Sequence, residues 1–524
     1  MDAPESRAAE PIKAWPFVLL GLALFGVAVT AWRPIPAGVW HDDGVYLLVG
    51  KALAEGHGLV YAGVVDAPPA AKFPPLYPLV LAAIWSVFGS IGPVTFVATM
   101  LNLALLAAAG ALFARALVMS GGIDLRAALV IAGLTFASTD VLRTALLALS
   151  ESTFLFLLAS ALVVWKGASH GDRRSIVVLA LVLVGIVATR TAGIGLVLAF
   201  ALSFAMRRSW VAGLAATVPA VLFASVWSRW SGRASEQIPE GARDLLGPYG
   251  GWLAEQTLAA PGAFLAGLPR HALGVAERAT ALVFPGVVGQ VLWLLAFVLG
   301  ALVLVGAFRM LRRFPPLAWF GGIYLAMLLV WPYLDRRLVV PWHPFVIAAM
   351  LLGAQAIQQR VRGRALERVA VGLALIWVVA YSSVTAGRIA EGWPTEAYRL
   401  RADRLAASVE ALSRTAPPEA IVGAPEFWAA LHLHGGWTVA PSVRFDPRNV
   451  DPETPMWGTP EEQLALWRES RIDHLLLEQN GVLHGDALDR LEAECPGSVF
   501  VLARMPSSLL VRLDWASSCE GSGA

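Results

Sequence analysis

The sequence predicts a polytopic α-helical membrane protein of about 11–13 transmembrane helices, closed by a small exoplasmic α/β domain. Three observations predict it. Of 524 residues, 57% are hydrophobic and 15% charged, against about 25% charged in soluble domains. Apolar runs long enough to cross a bilayer recur throughout residues 1–387. From residue 388 to 524 the pattern changes to short polar-faced helices alternating with short apolar strands.

The first apolar run, Trp15 to Ala31, has no small-residue cleavage site after it and reads as a retained helix. Further spans are expected at 93–114, 127–142, 146–165, 176–189, 192–206, 210–228, 282–307, 316–333, 338–356 and 369–387. Residues 74–90 are apolar but short and proline-rich at the start, so a partial or interfacial helix is expected there. Basic clusters mark the cytoplasmic side: Arg7/Lys13, Arg115/Arg126, Lys166/Arg173/Arg174, Arg207/Arg208, Arg309/Arg312/Arg313 and Arg360/Arg362/Arg364/Arg368. With all six inside, residues 33–73, the turns near 140–150 and 190, the loop 229–281, the turn 334–337 and the tail 388–524 fall outside. The location that follows is a plasma (inner) membrane, with the C-terminal domain periplasmic or extracellular. A net charge of +2 argues against a nucleic-acid partner.

The tail predicts helices at 396–412, 426–433, 459–470 and 486–494, and strands at 420–423, 474–477, 499–503 and 508–512. Thr459 followed by Glu461 and Glu462 has the form of a helix cap. The two cysteines, Cys495 and Cys519, both lie in this disulfide-permissive compartment, where a bridge and two free thiols are both open. No glycine-rich phosphate loop is present, which argues against a soluble nucleotide-sugar site in the tail.

Chemistry concentrates in the first loop. Trp40-His41-Asp42-Asp43-Gly44-Val45-Tyr46 places two adjacent carboxylates at a membrane edge in a chain that otherwise avoids charge. Such placement points to function. A surface helix is expected to follow, with Val45, Leu48, Val49, Ala52 and Leu53 on one face. One aspartate would cap that helix; the other is a candidate general base for a hydroxyl. Glu151, opening a later apolar helix on the same side, is either a cap or a further active-site carboxylate. Lys72, Arg143, Arg190, Arg336 and Arg337 all map to the exoplasmic edge, away from the cytoplasmic clusters. Together they read as an anion site for the phosphate of a lipid, since arginine grips phosphate through paired hydrogen bonds. The alternative pairs Arg143 with Asp140 and Arg336 with Asp335. Trp32, Trp40, Trp227, Trp230, Trp331, Tyr333 and Trp342 suit interfacial belts. The loop 229–281, containing Pro248-Tyr249-Gly250-Gly251-Trp252, is placed to cover a groove. A lone His343, and His432 and His434 two apart, assign no metal site.

Several motifs in order carry a resemblance. These are Asp42-Asp43-x-x-Tyr46, Leu53-Ala54-Glu55-Gly56-His57-Gly58, Pro74-Pro75-Leu76-Tyr77-Pro78, Leu149-Ser150-Glu151, Thr189-Arg190-Thr191-Ala192-Gly193, and the segment Leu334 to Phe345. Over residues 15–350 the chain resembles the GT-C glycosyltransferases, in the branch of protein O-mannosyltransferase-like and aminoarabinose-transferase-like enzymes (glycosyltransferase family 39-type). The resemblance implies a GT-C fold and a polyprenyl-phosphate-linked sugar donor. It implies an acceptor hydroxyl on a glycan, lipid or protein, and transfer with inversion. It gives Asp42 the role of base and places Asp43 where relatives more often carry Glu. Lys72-Phe73 stands where aminoarabinose-transferase-like members carry Glu-Lys, so no metal role transfers from that pair; a divalent metal stays open, with no ligands assigned. The alternative function is a transporter or flippase of a lipid-linked or anionic solute.

Overall fold

The computed structural model describes residues 13–120, 123–249, 261–331, 334–360, 364–425, 427–444, 458–478, 482–505 and 508–515. Arg7, Trp252, Tyr333, Arg362, Glu426 and Cys519, each named in an expectation above, lie outside the described residues.

Helices dominate. In order they are α1 (Trp15–Ala31), α2 (His41–Ala54), α3 (Leu76–Phe88), α4 (Ile91–Met119), α5 (Leu125–Phe136), α6 (Thr139–Ala145), α7 (Glu151–Ser169), α8 (Arg173–Thr189), α9 (Ile194–Met206), α10 (Trp210–Ser235) and α11 (Arg243–Leu246). They continue as α12 (Pro261–Val283), α13 (Gly289–Arg313), α14 (Pro315–Val330), α15 (Arg336–Val339), α16 (His343–Arg360) and α17 (Arg364–Ala390). Among the described residues, six helices are long and apolar enough to cross a bilayer, or seven if the bent pair α5–α6 is one crossing. Four shorter apolar helices accompany them: α1, α3, the 191–206 segment and α14. Stretches of 13–17 residues rise about 20–25 Å, less than a hydrocarbon core of about 30 Å. Length therefore separates the six or seven clear crossings from the 11–13 that apolar runs alone predict. The molecule is an integral membrane protein.

Two expectations are corrected. The span expected at 127–142 is broken, because α5 and α6 meet at 61°. The break leaves α6 and the irregular segment 146–150 at one end of the bundle. The helix after the acid pair is not a surface helix: every residue from Asp42 to Gly50 is buried. It packs between α3 and the C-terminal domain. The expected short helix at 74–90 is α3, only 13 residues long, ended by Gly89 in the left-handed conformation.

α13 and α16 pack together most closely. A Cβ added at Gly353 would stand 2.0 Å from the carbonyl oxygen of Leu302, so only glycine admits this approach. The contact fixes α16, whose N-terminal extension carries Arg336 and Arg337.

The C-terminal domain begins with α18 (Trp393–Thr415), then β1 (Ile421–Ala424), α19 (Trp428–Gly435), β2 (Thr438–Pro441), α20 (Pro460–Glu469), β3 (His474–Glu478), α21 (Val482–Glu494), β4 (Val499–Met505) and β5 (Ser508–Leu513). The sheet order is β2-β1-β3-β5-β4. β1 pairs in parallel with β2 and β3, and β5 pairs antiparallel with β3 and β4. Thr459 caps α20 by accepting from the Glu462 amide, while Glu462 reaches back to the Thr459 amide, as the sequence predicts. Cys495 is buried and is not a free thiol. One apolar core lies among the membrane helices. A second joins the first loop and α3 to the sheet domain, through residues such as Val39, Val45, Trp428 and Ala430.

Gly353→Ala should force α13 and α16 apart and cost about 1–3 kcal/mol, read as a lowered unfolding midpoint in detergent. An unchanged midpoint would show that the helices yield freely at this contact.

Candidate active site

The two aspartates of α2 do different things. Asp43, in the first turn, turns back on the loop. It accepts hydrogen bonds from the amides of Gly38 (2.8 Å) and Trp40 (2.9 Å). Burial pushes its carboxyl up to about 7, against the pull of these bonds. Asp43 thus holds the turn into α2 closed. Asp42 instead lines a cavity of about 580 Å³. There it accepts a hydrogen bond from Nη2 of Arg337. Burial by itself would push the Asp42 carboxyl up; Arg337, then His41 and Lys72, outweigh it and hold it well below the usual carboxylate range. His41 is driven down to about 4 by burial, and so carries no charge at neutral pH.

Arg337 stands at the head of the α15–α16 segment. Asp335 caps that head by accepting from the Arg337 amide (3.2 Å), and its other oxygen lies 3.5 Å from Arg337 Nε. Arg190 reaches the same cavity from the break between α8 and α9, where its own backbone is extended. It pairs with Glu151 at 2.5 Å and donates to Ser150 Oγ at 3.3 Å. Ser150 shares a 3.0 Å hydrogen bond with Tyr46 of α2. Asn102 of α4 anchors this corner, donating to the carbonyls of Leu147 (2.7 Å) and Leu149 (3.1 Å). Glu151 is fully buried and is no part of the cavity wall. It sets the position of Arg190.

Lys72 is the third cation of the wall. Its Nζ donates to the Leu245 carbonyl (2.8 Å) and lies 5.0 Å from the centre of the Tyr249 ring. Burial lowers its pKa to about 8, with Asp42 pulling the other way. Among the described residues it has no carboxylate within ion-pair distance. Segment 245–249 is thereby tied to the cavity, whose wall includes Pro248 and Tyr249; Tyr61 fixes it too, by donating to the Leu246 carbonyl (2.8 Å).

Of the five cations predicted to form an anion site, three meet here: Lys72, Arg190 and Arg337. Arg143 and Arg336 do not. They flank Asp140 of α6 at 3.8 and 3.9 Å. Arg143 thus takes its expected local partner, whereas Asp335 serves Arg337. The cavity wall itself carries three cations and one carboxylate, Asp42, beside mostly apolar walls, while Glu151 and Asp335 pair with Arg190 and Arg337 from behind it. Those walls include Trp227, Trp331, Tyr249 and Tyr324. Trp227 and Trp331 are thus cavity residues as well as candidates for a belt. Trp342 is a core residue, donating to the Gly321 carbonyl (2.8 Å). Such a cavity suits an amphiphile with an anionic head.

Sequence reasoning missed Ser150 and Asn102. Ser150 was legible as the neighbour of Glu151; Asn102 was a lone polar residue in a 29-residue apolar helix, itself a signal. Among the described residues no three His, Cys, Asp or Glu side chains group to hold a metal.

No family model matches the chain, and no curated protein matches it by sequence. Solved structures do match over nearly its whole length. ArnT from Cupriavidus metallidurans bound to undecaprenyl phosphate superposes with a TM-score of 0.53 at 15% identity, covering 97% of this chain and 99% of that one. The chain has the GT-C fold. The apo ArnT structure gives 0.51 at 15% identity, covering 95% and 97%. Archaeal oligosaccharyltransferase AglB from Archaeoglobus fulgidus, in complex with an inhibitory peptide and a dolichol-phosphate, gives 0.52 at 14% identity, covering 96% of this chain and 75% of AglB. The GT-C architecture expected from the ordered motifs is therefore present, in a sequence far from either protein.

Dodecyl phosphate binding should weaken as pH rises through about 8, where Lys72 loses its charge. The Lys72→Arg variant should keep its affinity at that pH, since guanidinium stays charged. Titration of the detergent-solubilised protein checks this. A wild-type affinity flat across that range would remove Lys72 from the anion site.

Proposed function

We propose that this protein is a glycosyltransferase that moves a sugar from a polyprenyl-phosphate donor to an acceptor hydroxyl at the exoplasmic membrane face. The observation that carries the proposal is the cavity itself. One ionised carboxylate, Asp42, stands among three cations from distant parts of the chain, beside aromatic and aliphatic walls. The GT-C fold, shared with proteins solved with undecaprenyl phosphate and dolichol-phosphate, supports the same assignment.

The donor enters from the bilayer with its isoprenoid chain along the apolar wall. Its phosphate meets Arg337, Arg190 and Lys72. The acceptor hydroxyl lies at Asp42 and gives up its proton to the carboxylate as its oxygen attacks the anomeric carbon. The bond from that carbon to the phosphate oxygen breaks, and polyprenyl phosphate leaves with the electron pair. The three cations stabilise the charge that develops there, the kind of preorganised electrostatics that contributes most to such steps. A single displacement inverts the anomeric centre. The acceptor is a hydroxyl of a glycan, lipid or protein. In this arrangement residues 1–387 form the transmembrane catalytic unit, and residues 388–524 form a periplasmic or extracellular domain of a plasma-membrane protein.

Asp43 and Glu151 serve as supports, Asp43 by closing the turn before α2 and Glu151 by holding Arg190. Removing Glu151 would leave Arg190 a buried charge without its partner, at about 3–5 kcal/mol, and removing Asp43 would leave the buried Gly38 amide unsatisfied, at about 1–3 kcal/mol, so both belong to the site although neither is the base.

The purified protein, given a panel of polyprenyl-phosphate sugars and a cell-envelope acceptor fraction, should release free polyprenyl phosphate, measured by mass spectrometry. Asp42→Asn should lower that release about 10²–10⁴-fold. Undiminished release by Asp42→Asn would overturn the role of Asp42. Movement of a lipid-linked sugar across a vesicle with its glycosidic bond intact would favour the transporter instead.

A further inference from the structure

Outside α2 the first loop has little structure of its own. Between α1 and α2 it runs through Arg33-Pro34-Ile35-Pro36, and between α2 and α3 residues 55–75 are mostly irregular. A reacting carboxylate must be held to about half an ångström. Something outside the loop must supply that rigidity.

The sheet domain touches the loop on both sides of Asp42. Gly38, whose amide Asp43 binds, sits at φ +83°, and a Cβ built there would stand 2.4 Å from the Ala430 Cβ of α19. The loop backbone is therefore laid flush against α19 with no room between. Trp428, fully buried, presents its ring edge-on to His41 at 5.5 Å and to Tyr61 at 6.3 Å. His434 shares a 2.9 Å hydrogen bond with the Ala37 carbonyl. Beyond α2 the loop joins the sheet. Val64 bridges Val439 in parallel, the Val65 amide donates to the Val439 carbonyl (3.0 Å), and the Val439 amide donates to the Gly63 carbonyl (2.8 Å). The loop thus extends the sheet past its β2 edge. On the other flank, the Arg401 guanidinium of α18 lies over the Trp40 ring at 4.9 Å.

We propose that the C-terminal domain is a positioning element for the active-site loop, and that Ala430 and Trp428 of α19 are positioning residues that set Asp42 through Gly38 and His41. The domain's effect on transfer rests on the glycosyltransferase proposal; its hold on the loop does not. Neither residue lines the cavity, so a disturbance there moves the base and leaves the cations of the anion site unsubstituted.

The test is Ala430→Leu in the full-length protein, with two measurements. Turnover at saturating donor and acceptor should fall about 10²-fold, the cost of a misplacement of about 1 Å, while the KM for donor changes little. Amide hydrogen exchange across residues 37–46 should speed up, which needs no substrate. A control, Leu491→Ala, removes a fully buried side chain from α21, which packs on α20 and β4. It should leave both readouts near those of the unsubstituted protein. Unchanged turnover or unchanged exchange in Ala430→Leu overturns the proposal, as does an equal loss of turnover in Leu491→Ala with the C-terminal domain still folded by circular dichroism. If the unsubstituted protein releases no polyprenyl phosphate from any donor, the glycosyltransferase proposal fails, and the exchange measurement alone decides whether α19 holds the loop.

Discussion

The ion pair between Asp42 and Arg337 joins residues 295 positions apart, and much of the site is arranged to sustain it. A buried charge without a partner is costly, and a buried pair survives only with supporting hydrogen bonds. Asp335 supplies such support from the head of the α15–α16 segment. Asp43 supplies it from the other side, fixing the turn that aims Asp42. The α13–α16 contact at Gly353 and the α2–α3 contact then hold the two carriers of the pair at the right separation. Arg190 repeats the arrangement with Glu151, Ser150 and Tyr46. Lys72 breaks the pattern: it leans on a carbonyl and on ring faces, with no carboxylate of its own among the described residues.

The cation without a carboxylate ties fold to the proposed chemistry. In the reaction proposed above, a donor phosphate arriving at Arg337 would compete with Asp42 for the same guanidinium. Asp42 alone beside Arg337 is a weak base, because the pair stabilises its charge. Once phosphate took part of that guanidinium, the carboxylate would regain basicity where the proposal has a hydroxyl lose its proton, so that donor binding would prepare the base.

Much of this was legible in the sequence. Low charge and long apolar runs dictate the bundle, and the odd cations Lys72, Arg190 and Arg337 stand out because membrane-edge charge is expensive. The strands and helices of the tail also follow from local pattern, down to the Thr459 cap. What was illegible depends on distant pairing. Nothing local says which of two adjacent aspartates turns inward; that follows from the amides of Gly38 and Trp40. Nothing local separates Arg337 from Arg336, or sends Arg336 to Asp140. The bend at 137–138 interrupts an apolar run that reads as one span. β2 escaped notice because four residues ending in Pro441 make a weak strand signal, and its pairing with the loop is set entirely by tertiary contact.

The sharing of Arg337 between Asp42 and a phosphate is tested most directly by the affinity of polyprenyl phosphate, without any sugar, for the protein in lipid nanodiscs. Asp42→Asn removes the competing carboxylate and leaves every cation in place. If Arg337 is shared, this variant should bind polyprenyl phosphate several-fold more tightly than the unsubstituted protein. Equal or weaker binding would contradict a common Arg337 site.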